Sequence, residues 1–148
     1  MSAEQVGRVL GIAVRTRKKG PMREVERVKA TGDGLDGDVE ATTVRAVTFI
    51  AAQQWHQVQQ ELGGAMPWHT RRANVLVEAD SLAHLIGRTI RVGDVHVRVN
   101  AETKPCELMD ELQPGLRAAL KPECRGGVYG SVIQEGDIAV GDVVALVS

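Results

Sequence analysis

The sequence predicts a mainly β fold, a partly closed β-barrel of about seven or eight short strands carrying two or three short helices. Three observations lead there. Valine, whose branched Cβ favours strands, occurs 21 times in 148 residues and is the largest contributor to the core. Short apolar runs are punctuated by glycine-containing turns, with no linker, low-complexity tract or long charge run between them. The best helix is a single segment, Ala51–Leu62, closed by Gly63-Gly64.

The elements follow in order. Gln5–Val14 reads as the first strand and leads into a basic turn, Arg15-Thr16-Arg17-Lys18-Lys19-Gly20-Pro21. Met22–Ala30 is short and bounded by Gly and Pro, which favours strand, although Met22, Val25 and Val28 recur every three residues. Thr31–Asp38 holds three glycines and three aspartates in eight residues, a composition that demands a loop. A strand over Val44–Ile50 precedes the helix, and Ala73–Val77 forms the next strand. Asp80 reads as the N-cap of a helical turn, Ser81–Ile86. Thr89–Val92 and Val95–Ala101 form strands joined at Gly93-Asp94, with Val95, Val97 and Val99 on one face and His96, Arg98 and Asn100 on the other. Glu107–Leu112 and Gly115–Leu120 are short helices separated by Pro114. The chain returns to β at Val128–Gln134, turns at Glu135-Gly136-Asp137, and ends with Val143–Val147. Ile138–Val143 echoes Ile90–Val95, one favourable turn used twice.

This length corresponds to one domain, 1–148, at roughly 150 residues per domain. A composition of 43% hydrophobic and 25% charged residues excludes a disordered or fibrous chain, and no apolar run is long enough for a spanning helix. A net charge of −1 and 3% aromatic residues argue against nucleic acid and membrane surfaces as partners. Met1–Leu10 carries Glu4 and Arg8 and lacks the apolar block of a secretory leader, and two cysteines are too few for a disulfide framework. A cytoplasmic protein is expected. An exposed barrel edge would support a homodimer.

Cys106 is the first candidate for chemistry. It follows Thr103-Lys104-Pro105 and precedes a helix, and the proline ring fixes the turn that presents the thiol. The helix start and the Lys104 ammonium favour thiolate, whereas Glu107, Asp110 and Glu111 oppose it. A thiolate is a soft ligand suited to a heavy metal or to carrying sulfur. Taken alone, a cysteine is more often inert core, and Cys124 reads as an ordinary loop cysteine. Arg71-Arg72-Ala73-Asn74 sits at a strand start, where two guanidinium forks match phosphate oxygens. Arg125-Gly126-Gly127 adds a cation beside backbone that can curl into an anion nest. The histidines at 56, 69, 84 and 96 show no close-spaced ligand pair for zinc; His69, beside Arg71, is the one worth keeping. No phosphate-binding loop, dinucleotide fingerprint or nucleophile elbow is present.

Read in order, seven segments resemble the MOSC domain, the module named for the C-terminal part of molybdenum cofactor sulfurases. They are Gly34-Leu35-Asp36-Gly37-Asp38, Arg72-Ala73-Asn74-Val75-Leu76-Val77, Leu85-Ile86-Gly87, Val92-Gly93-Asp94, Pro105-Cys106, Arg125-Gly126-Gly127-Val128-Tyr129-Gly130 and Gly136-Asp137-Ile138-Ala139-Val140-Gly141-Asp142. The resemblance implies a barrel-like β fold and a pyranopterin–molybdenum cofactor (molybdopterin). It implies that Cys106 ligates the metal or carries sulfur, and that Arg72, Asn74 and Arg125 shape the cofactor pocket. Lys18 and Lys19 correspond loosely to a lysine-containing N-terminal cofactor motif. Many members carry Arg after Gly-x-x-Gly-Asp, where this chain has Val39.

Three functions follow from the resemblance and the residues. The first is a cofactor-binding or sulfur-carrier module whose partners are the cofactor and its sulfur donor or acceptor enzymes. The second is a molybdenum-dependent reductase of N-hydroxylated compounds that needs an external electron donor. The third is a small-ligand barrel without molybdenum.

Overall fold

The computed structural model describes residues 4–147. Met1–Ala3, the start of the segment weighed as a leader, and Ser148 lie outside the described residues. The described residues form eleven strands and three α-helices: β1 (Glu4–Arg15), β2 (Met22–Val25), β3 (Arg27–Thr31), β4 (Gly34–Leu35), β5 (Val47–Ala51), α1 (Ala52–Leu62), β6 (Val75–Val77), β7 (Thr89–Val92), β8 (Val95–Glu102), α2 (Glu107–Leu112), α3 (Leu116–Leu120), β9 (Val128–Gln134), β10 (Gly136–Ala139) and β11 (Val143–Leu146). No helix among the described residues is long and apolar enough to cross a membrane.

Seven strands close into a barrel in the order β1-β11-β7-β8-β9-β5-β6, with β6 returning to β1 and β2 added beside β1. The long first strand makes closure possible. It pairs with β11 through Glu4–Arg8, with β6 through Val9–Ile12 and with β2 through Ile12–Arg15, shifting register at two points. Such irregularities bend a strand and increase its twist, which a closed sheet of few strands requires. All pairs are antiparallel except β5–β6, whose parallel register needs the crossover that α1 supplies.

The valine-rich strands alternate as expected: Val95, Val97 and Val99 of β8 face the barrel interior, and Arg98 is exposed. β5 differs, because all five of its residues are buried. Phe49 and Ala51 enter the barrel core, while Ile50 packs outward with Trp55 and Val58 of α1, Ala73, Met109 of α2, and Leu116 and Leu120 of α3. The helices therefore form a cap over β5. It is fastened by reciprocal hydrogen bonds between the Gln59 and Gln113 carboxamides at 2.8 and 3.0 Å.

Four readings of the sequence are corrected. Met22–Ala30 is not one strand: it breaks at Glu26, so that β2 stays with the barrel and β3 joins a separate sheet of order β10-β3-β4. The segment Thr31–Asp38 is not wholly loop, because Gly34–Leu35 pairs with β3. Glu135-Gly136-Asp137 is no free turn, since Gly136 already pairs with Ala30. The helical turn after Asp80 begins only at Ala83, and the Ser81 hydroxyl accepts the Ala83 N–H at 3.3 Å. The first three share a cause, pairing partners distant in sequence that override local turn chemistry, whereas the fourth is a local contact of Ser81.

Candidate functional site

The cleft is built around Asp38, the last residue of the glycine-rich segment. Its side chain is fully buried and accepts Arg15 Nη2 at 3.0 Å, Asn74 Nδ2 at 2.6 Å and the Glu40 N–H at 3.1 Å. Asn74, with no exposed surface, completes the clasp. Its Oδ1 accepts both the N–H and the hydroxyl of Thr48 at 3.0 Å, and its Nδ2 also donates to the Ala13 carbonyl. Two strands, β1 and β5, the approach to β6 and the Asp38 loop are thus tied at one point, behind the cleft wall.

In front of that point lies a cleft of about 270 Å³. Four arginines line it, Arg15, Arg45, Arg71 and Arg72, with Glu40 as the one carboxylate. Cys106, itself exposed, lines it beside Leu108 and Met109. The arginines are not equivalent. Arg15 is paired with Asp38, and Arg72 donates to Glu40 Oε2 at 2.8 Å and to the carbonyls of Arg17 and Gly20. The Arg45 guanidinium lies 5.2 Å from the Tyr129 ring centre, and burial, then the charge of Arg15, lowers its pKa.

Arg71 stands apart. It is 5% exposed, and it donates to the carbonyls of Gly126 at 3.2 Å and Thr103 at 3.1 Å and to the Met109 sulfur at 3.6 Å. Among the described residues no carboxylate lies within ion-pair distance of it. Burial pushes its pKa down to about 10; the charge of Arg45 adds to the fall, Cys106 opposes it, and Arg15 adds further. A buried cation without a counter-ion is costly, and an anion placed in the cleft would relieve it. On the same wall the Thr103 hydroxyl is buried without a hydrogen-bond partner.

The turn that presents these arginines differs from the expected strand start. Trp68–Arg71 is a 3-10 turn, Arg72 adopts a left-handed conformation at φ 66°, and the strand begins only at Val75. The other expected site residues lie outside the cleft lining. Arg125 forms a bidentate pair with Glu61 at 2.9 and 3.0 Å and donates to the Ala119 carbonyl. Gly126 contributes its carbonyl to Arg71, and Gly127, at φ 90°, packs so closely on β5 that a Cβ would fall 1.9 Å from the Phe49 oxygen. Lys104 and Lys18 are exposed and line no part of the cleft, while Lys19 lines a shallower depression on which Cys106 also borders. His69 lies 3.7 Å from Glu24 instead.

The residues missed from sequence are Arg15, Arg45, Glu40 and Thr103. Arg15 lay one residue past the expected strand end, and Arg45 stood at the start of another strand, each a lone charge with no periodic signal. The cation expected after Gly-x-x-Gly-Asp is absent at the exposed Val39, and Arg15 at the end of β1 and Arg45 in the turn before β5 bring cations to the cleft. Among the described residues no group of three His, Cys, Asp or Glu side chains gathers as a metal site. Cys106 is the one thiol lining the cleft, and the other sulfur there, the Met109 thioether, accepts from Arg71.

A closed seven-stranded barrel with an arginine-lined cleft and a cysteine on its wall defines the class. The chain belongs to the MOSC domain family, whose model matches residues 36–145. No curated protein matches the chain. Solved structures share its fold. The YUAD protein from Bacillus subtilis superposes with a TM-score of 0.83 at 16% identity, covering 95% of this chain and 94% of that one. YiiM from Escherichia coli gives 0.73 at 17% identity, covering 95% and 70%. YiiM from Geobacillus stearothermophilus gives 0.71 at 17% identity, covering 99% and 76%.

Proposed function

We propose that the cleft receives the phosphate end of a molybdopterin-type cofactor, held by Arg71 and Arg45, and that Cys106 serves as thiolate ligand or sulfur carrier to its molybdenum. The observation that carries this reading is Arg71, a buried guanidinium with neutral acceptors on its protein side and no carboxylate partner among the described residues. A phosphate is the natural complement of that planar fork. The donor set fits as well: one soft thiolate suits a metal whose remaining ligands come with the cofactor itself, and among the described residues no protein-only cluster competes for it. When bound, the group supplies a redox-active, sulfur-ligated metal centre. The family resemblance points the same way.

Each side chain has a distinct task in this reading. Arg71 binds and orients the phosphate, and Arg45 adds charge from the turn before β5. Arg125 acts at a distance, since its ion pair with Glu61 holds the backbone whose Gly126 carbonyl orients Arg71. Pro105 and the start of α2 set the direction of the Cys106 thiol. Cytoplasmic residence, a single domain over 1–148, and the cofactor's sulfur donor or acceptor enzymes as partners belong to the same proposal.

The test is to express the native chain, Cys106→Ala and Arg71→Met in cells that make the cofactor. Molybdenum is read by elemental mass spectrometry and pterin by fluorescence after oxidation. The native chain is expected to carry both, Cys106→Ala to retain pterin with several-fold less metal, and Arg71→Met to lose both. Transferable sulfur on Cys106 without metal would select the carrier role. Turnover of an N-hydroxylated compound with a supplied electron donor would extend the proposal to a reductase. Equal, negligible contents in all three proteins refute it.

A further inference from the structure

Glu40 is the part of the cleft that an anion site does not explain. Its Oε2 is held by Arg72 at 2.8 Å and lies 3.7 Å from Arg15, and with Asp38 paired to Arg15 the two arginines and two carboxylates balance in charge. The side chain is 27% exposed, and Oε1 accepts no hydrogen bond among the described residues while remaining accessible. A carboxylate oxygen left free on a cleft wall repels any anion placed against it and accepts hydrogen bonds from N–H donors. The charge of the cleft lining is therefore uneven: Arg71 has no carboxylate beside it among the described residues, and Arg15 and Arg72 are committed to Asp38 and Glu40.

We infer that Glu40 is a specificity-determining residue of this cleft, and that its free oxygen receives an amidine-like N–H edge of a ligand whose opposite end is the anion on Arg71. Resting on the proposed function, this names what the ligand must carry besides phosphate. The 2-amino and ring N–H groups of a pterin form such an edge. A ligand anionic at both ends is rejected, because its second charge would meet Glu40. Arg72 is then a positioning residue, fixing the carboxylate by the 2.8 Å contact.

The experiment uses two probes on the full chain, inorganic phosphate and unsubstituted pterin, the latter followed by its own fluorescence. In the native protein the two bind together without competing. Glu40→Gln removes one negative charge while keeping the side-chain shape. Phosphate affinity is expected to rise about three- to tenfold through lost repulsion. Pterin affinity is expected to fall about tenfold through loss of a charge-assisted hydrogen bond. A structural role alone would not move the two probes in opposite directions. Unchanged pterin affinity in the variant, or phosphate displacing pterin from the native chain, overturns the inference and leaves the Arg71 reading in place. Native protein that binds phosphate but not pterin does the same. Native protein that binds neither probe overturns the proposed function itself. Melting curves establish that Glu40→Gln is folded, and if it is not, the native competition experiment decides alone.

Discussion

Arg71→Met separates the cost of a buried charge from its use. The guanidinium is 5% exposed, and its pKa is lowered to about 10 chiefly by burial. At about 1.4 kcal/mol per pKa unit, a fall of that size means that keeping Arg71 charged costs the folded state roughly 3 kcal/mol. The sign follows from linkage. The folded-state value lies below the unfolded one, so the cost is fully present below pH 10 and is released as pH rises from there toward the ordinary guanidinium range. Methionine removes that cost but leaves the Gly126 and Thr103 carbonyls without their donor, a loss of about 1 to 3 kcal/mol for each. The opposing contributions are of similar size, so in phosphate-free buffer the melting temperature should stay within about 5 °C of native. Phosphate then distinguishes the two proteins. At a hundred times its dissociation constant it should stabilise the native chain by about 2.7 kcal/mol. That corresponds to a rise of roughly 5 to 10 °C for a chain of this size. The assay is thermal unfolding followed by circular dichroism at constant ionic strength, with chloride replacing phosphate. The variant should show no phosphate-dependent rise. An equal rise in both proteins would refute the assignment of Arg71 as the anion's holder. A drop far beyond 10 °C without phosphate would show instead that Arg71 is a clasp for the backbone.

Three further outcomes are expected. Asn74→Ala removes the contacts to Thr48, Ala13 and Asp38 from a site with no solvent access, so urea unfolding should show a loss of about 3 to 5 kcal/mol, and a loss below 1 kcal/mol would contradict the clasp. Gly127→Ala places a Cβ 1.9 Å from the Phe49 oxygen at a positive φ, and the variant should be recovered mostly insoluble or melt far below native; near-native melting would contradict the close approach. Iodoacetamide at pH 8 should alkylate exposed Cys106 and spare Cys124, whose pKa burial pushes up to about 11, with Glu102 adding to the rise. Peptide mass mapping reads the result, and Cys124 labelling should grow only as the pH approaches 11.

The barrel was legible because its signal is local. Alternating valines mark the inward face of β8, and Gly63 ends α1 in the left-handed conformation that its position after the periodic run predicts. Cys106, Arg71 and Arg72 were legible for a different reason: Pro105 and the paired arginines are unusual residue types in unusual order, and all three line the cleft. Arg125 and Asn74 were found by the same means, yet the structure places them behind the cleft wall, in a bidentate pair and a buried clasp. Residue type shows that a group is polar. It does not show which way the group faces.

The turn used twice makes the division clear. Gly93-Asp94 joins β7 to β8 as a hairpin, whereas the similar Gly141-Asp142 carries the chain from β10 in the small sheet to β11 in the barrel. Local chemistry determined that the backbone would turn at both places. Only the partners available in three dimensions, Val95 opposite Val92 in one case and Lys29 opposite Asp137 in the other, decided what each turn would connect. The same holds for the cleft. By itself the sequence determined a valine-rich β fold, a cysteine presented after a proline, and arginine motifs at 71–72 and 125. Tertiary structure decided which arginines find carboxylates and which one does not, because ion pairing depends on distance through space, and Asp38 reaches Arg15 across 23 positions of chain.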